Sequence, residues 1–76
     1  MQPIKLHDVV ALTSDLPVHA LKRGDLGTVV HVYPDDVGYE IEFVTLGGET
    51  IAVVTLPSGA VRKTGSREIA HVRDVA

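Results

Sequence analysis

The sequence predicts an all-β fold, and two observations carry that expectation. No segment repeats apolar residues at i, i+3, i+4 and i+7 over a helical length. Short runs rich in Val, Ile and Thr instead alternate with polar residues and end at Gly, Pro or Asp.

The elements follow in order. Asp8-Val9-Val10-Ala11-Leu12 is the first expected strand, followed by a long loop, Thr13 to Arg23, that holds Pro17. Gly24-Asp25-Leu26-Gly27 is expected to turn the chain, because glycine accepts positive φ without steric cost. Thr28 to Tyr33 is the second strand, and Pro34-Asp35-Asp36-Val37-Gly38 closes a hairpin. Tyr39 to Leu46 is the third strand, Gly47-Gly48 a two-residue turn, and Glu49 to Leu56 the fourth strand. Pro57-Ser58-Gly59 ends that strand. Residues 60–67 are expected to form a loop, and Ile69 to Arg73 a short fifth strand.

A turn at Gly47-Gly48 sets the register of the last hairpin: Phe43 opposite Ala52, Ile41 opposite Val54, and Tyr39 opposite Leu56, all facing the core. A slip of one residue would exchange Ile41 and Phe43 for Glu40 and Glu42, and burying two unpaired carboxylates costs several kcal/mol each. By alternation Val30 and Val32 join the core, which leaves His31, Tyr33, Glu40 and Glu42 on the outer face. Five short strands, a long first loop and a one-turn break before the last strand predict a small SH3-like five-stranded barrel. The alternative is an OB-like barrel, a fold that usually includes a helix where this chain offers none.

At 76 residues the chain is expected to be a single domain, residues 1–76, with one core and slim stability. There is no cysteine, so disulfides, zinc knuckles and thiol nucleophiles are excluded, and a reducing cytoplasm is the expected compartment. The first eight residues lack the pattern of a signal peptide, and no apolar run is long enough to span a bilayer. Ten acidic and seven basic residues give a net charge of −3, which disfavours a nucleic acid as partner. The charge is uneven. Residues 58–76, read as a basic loop and last strand, carry Arg62, Lys63, Arg67 and Arg73, the one candidate set for nucleic-acid contact, though without an aromatic platform.

Four blocks, residues 8–12, Leu21 to Val30, Tyr39 to Phe43 and Thr50 to Leu56, together resemble a family of very small bacterial, often cyanobacterial, single-domain proteins of unknown function. The resemblance spans residues 4–57 and implies an SH3-like barrel. Members often stand beside another small uncharacterised gene, which implies antitoxin-like or immunity-like pairing by analogy. The basic segment after Pro57 follows no pattern of that family.

No catalytic, cofactor or metal constellation emerges, so the expectation is a non-enzymatic protein with no cofactor. Glu40 and Glu42 share a face, as a pair of acid–base carboxylates would, but that face is the solvated outer one, so catalysis is not the expectation. His7, His19, His31 and His71 fall in no His-x-His or His-x₃-His pair. Ser14, Ser58 and Ser66 all fall in loops, with no base to activate them. The outer surface remains. The register turns Val44, Ile51 and Val53 outward beside Tyr33, Glu40 and Glu42, and these six form a candidate interface for a protein partner or a second copy. Alternatively, Ile51 and Val53 lie under the loop that holds Leu16, Pro17, Val18 and Leu21.

Overall fold

Five antiparallel strands form one sheet in a computed structural model that describes residues 3–75. They are β1 (Val9–Leu12), β2 (Leu26–Val32), β3 (Gly38–Val44), β4 (Thr50–Pro57) and β5 (Val61–Lys63), in spatial order β4-β3-β2-β1-β5. There is no α-helix among the described residues. Three 3₁₀ turns, Pro17–His19, Pro34–Asp36 and Ser58–Ala60, punctuate the connections. The sheet is open, with β4 and β5 as its edges.

The expected register of the last hairpin holds: Phe43 pairs with Ala52, Ile41 with Val54 and Tyr39 with Leu56. The turn that produces it differs. Gly48 donates its N–H to Thr45 O at 2.9 Å, and Thr45 donates to Glu49 O at 2.8 Å, so the loop is the three residues Leu46-Gly47-Gly48. Gly48 takes φ +90°, the left-handed position that follows a type I turn in such loops. A three-residue loop alone would shift the register by one. A bulge between Phe43 and Val44, where Val44 pairs with Thr50, takes up the odd residue at Ile51 and restores it.

Strand β2 corrects the sequence reading. Its register shifts between Val29 and His31, so Val30 is a bulge residue, 39% exposed, and Val29 takes the core position. The run Val29-Val30-His31-Val32 fits either phase, and the core selects the one that places Val29 against Ile41. Gly27 is likewise no turn residue but a buried strand residue paired with Val10. A Cβ there would overlap Ile41 Cγ2 and lie 2.9 Å from Phe43 Cε1, so glycine is needed for space rather than for φ.

The fifth strand is also elsewhere than expected. Val61–Lys63 pairs with β1, Leu12 opposite Val61, whereas Ile69 to Arg73 is irregular and Ile69 is 95% exposed. The Ser58–Ala60 turn reverses the chain at once, and Thr13 secures it with N–H and Oγ1 bonds to Ala60 O and Gly59 O. Val61 is thereby brought opposite Leu12 and buried in the core. That core comprises Val10, Leu12, Leu21, Val29, Tyr39, Ile41, Phe43, Leu56 and Val61. Leu21 reaches it because Leu16 and Leu21 exchange main-chain bonds and fold the long first loop back on itself.

The Gly27 contact yields a test. Gly27→Ala forces a methyl against two fully packed side chains and should cost about 1–3 kcal/mol of stability, read as a lower urea midpoint with an unchanged slope.

Candidate functional site

The pleat of β3 builds the candidate face. With Tyr39, Ile41 and Phe43 turned inward, Glu40, Glu42 and Val44 must turn outward. Cross-strand pairing sets Glu40 between His31 of β2 and Thr55 of β4, and Glu42 between Thr28 and Val53. His31 near the end of β2 and Tyr33 just beyond it stand two residues apart, their rings edge to face at 4.6 Å. Both glutamates are half-buried, and Thr50 Oγ1 donates to Glu42 Oε2 at 2.9 Å. Val44 and Val53 are 50% and 54% exposed. Five of the six sequence-derived interface residues, Tyr33, Glu40, Glu42, Val44 and Val53, therefore share one face. The bulge separates Ile51 from them: it is half-buried and packs against the core.

The four basic residues do not form a patch. Arg62 makes a two-pronged pair with Glu68, its NH1 donating to Oε1 at 2.9 Å and its NH2 to Oε2 at 2.6 Å. That guanidinium, aided by the Gly65 N–H, holds the Glu68 carboxyl down to about 2. Lys63 lies 3.4 Å from Asp8 Oδ2. Arg73 crosses to the loop before β2, where Nε donates to Asp25 Oδ1 at 2.9 Å and NH2 to Asp25 Oδ2 and Ala20 O. Among the described residues Arg67 makes no ion pair.

These pairs lay the chain after Lys63 across the outer side of β1, β2 and β5. They enclose a groove of about 400 Å³ whose lining includes Val9, Leu26, Arg62, Glu68, Ile69 and His71. Its two paired charges neutralise each other, so the groove offers an apolar floor rather than an acid–base pair. Sequence reasoning missed the groove and the Asp25–Arg73 pair, because 48 residues separate the partners and neither lies in a motif. Among the described residues no three His, Asp or Glu side chains converge on a metal position, and no helix is long and apolar enough to cross a membrane.

Residues 6–63 match the family described as "Domain of unknown function (DUF4926)". No curated protein and no solved structure matches the chain. The matched span ends with β5, so the segment tied down by Arg62 and Arg73 lies beyond it.

The Arg73 hydrogen bonds, ahead of the Lys22 N–H bond, hold the Asp25 carboxyl below the usual aspartate range. With the folded-state value below that of the unfolded chain, the pair stabilises the protein above about pH 4 and fades as pH falls through that range. Arg73→Ala should therefore lose less stability than the parent chain on acidification, read from urea midpoints between about pH 6 and pH 3. It should also speed tryptic cleavage at Arg67 while leaving the β-sheet circular dichroism unchanged.

Proposed function

The chain belongs to the DUF4926 family, and from that premise we propose that it is a non-catalytic protein-binding module of SH3-like architecture, an antitoxin-like partner of a small basic protein in the bacterial cytoplasm. The strand order, the long β1–β2 connection and the 3₁₀ turn between β4 and β5 support the SH3-like assignment. The absence of cysteine suits a reducing compartment.

One observation carries the binding reading. Glu40 and Glu42 stand in line on a regular strand, with the His31–Tyr33 ring pair on one side and exposed Val53 on the other. An acidic row bordered by apolar and aromatic surface fits Lys or Arg side chains, whose aliphatic stems pack on Val and Tyr while their charges meet the carboxylates. Asp35 and Asp36, at the tip of the β2–β3 turn, extend the negative potential that steers a basic partner inward. The nucleic-acid reading loses ground here, because Arg62, Lys63 and Arg73 already hold carboxylates that a phosphate would have to displace.

Co-expression with the product of the adjacent gene tests the proposal. A complex should form at micromolar concentration in low salt, and Glu40→Lys with Glu42→Lys should slow association about tenfold or more. Absence of a complex, or an association rate indifferent to both changes and to salt, counts against it.

A further inference from the structure

The two edges of the sheet are built differently. β5 is three residues long and carries Arg62 and Lys63, which makes it a poor template for another strand. β4 has neither protection. Its eight residues, Thr50–Pro57, include no charged side chain, and five of them are β-branched. No described strand pairs with its outer side.

The hydrogen-bond phase of that edge can be read from its end. Ser58 donates its N–H to Val37 O at 3.3 Å, which makes Gly38 and Pro57 a non-hydrogen-bonded pair of the ladder. By alternation Leu56, Val54 and Ala52 bond to β3, while Thr55 and Val53 direct N–H and C=O away from the sheet. Pro57, which has no N–H, belongs to the outward set, the position an edge strand tolerates. The side chains tell the same story: Ala52 and Val54 are only half-buried, whereas Ile41 and Phe43, opposite them on β3, are fully buried. The core is open along β4.

We propose that β4 pairs with β4 of a second copy of this chain, antiparallel about a two-fold axis at Val54, so that two five-stranded sheets become one of ten strands. This register sets Val53 of each copy opposite Thr55 of the other, and the outward groups of those residues make four main-chain bonds. It stays clear of the bulge at Ile51. On the inner side Val54 meets Val54 and Ala52 meets Leu56, which closes the open side of both cores. A strand that packs well beside uncharged, β-branched β4 is another uncharged, β-branched strand, and β4 is one. Charge does not oppose the join. The nearest glutamates across the join, Glu42 of one copy and Glu40 of the other, stand three strand spacings apart, about 14 Å, beyond the Debye length at physiological salt. The join uses the backbone edge and leaves Tyr33, Glu40 and Glu42 open on both copies, so it stands independently of the basic-partner reading.

Analytical ultracentrifugation across a hundredfold range of concentration tests the proposal. The parent chain should pass from one-chain to two-chain mass as concentration rises. Thr55→Pro removes two of the four bonds without touching the β3–β4 ladder, and Thr55→Lys puts a charge on the edge; each should weaken association at least about tenfold. Ile69→Lys, far from β4, should leave association unchanged. A parent chain that is a single copy throughout overturns the proposal, as does a dimer that survives Thr55→Lys with native circular dichroism. Should Thr55→Pro fail to fold, Thr55→Lys alone decides.

Discussion

The pleat of β3 is the constraint on which the rest of the structure depends. Tyr39, Ile41 and Phe43 enter the core from one side, and Glu40 and Glu42 leave by the other, so this strand has only one admissible facing. β4 must then match it, and β2 must bring Val29 against Ile41 even at the cost of a bulge. Gly27 follows from the same demand, since Ile41 and Phe43 fill the space its side chain would occupy. In a chain of 76 residues, without a disulfide, few other interactions could fix the arrangement.

What the sequence revealed and what it concealed divide along physical lines. The β3–β4 pairing was legible because the glutamates punish the wrong phase. In β2 no acidic residue does so, and Val29 and Val30 compete for the core on equal chemical terms; only the packed partner decides between them. The last strand was illegible for a related reason. Val61-Arg62-Lys63 offers one apolar residue, whereas Ile69 to Val72 looks more like a strand but is too far along the chain to compete once the Ser58–Ala60 turn has brought Val61 to Leu12. Of the candidate face, the pattern of alternation delivered Tyr33, Glu40, Glu42, Val44 and Val53; it misplaced Ile51, because a bulge leaves no mark on composition.

The charges show a similar division of labour. Acidic residues on β3 face solvent, while those near β1 and β2, Asp8 and Asp25, and Glu68 beyond β5, hold the basic residues of the C-terminal part. A net count of −3 therefore understates the polarity of the surface, since much of the positive charge is already engaged in local pairs that salt and solvent weaken but do not abolish.

The hairpin between β3 and β4 keeps its odd residue in two places at once, a three-residue tip and a bulge at Ile51. Loss of one residue between Glu49 and Ile51 would erase the bulge, straighten the strand and leave every pair from Phe43 and Ala52 inward as it was. The tip is thus a joint where the length of the chain can change by one with the ladder beyond it intact, at the loss only of the contact that Ile51 makes with the core.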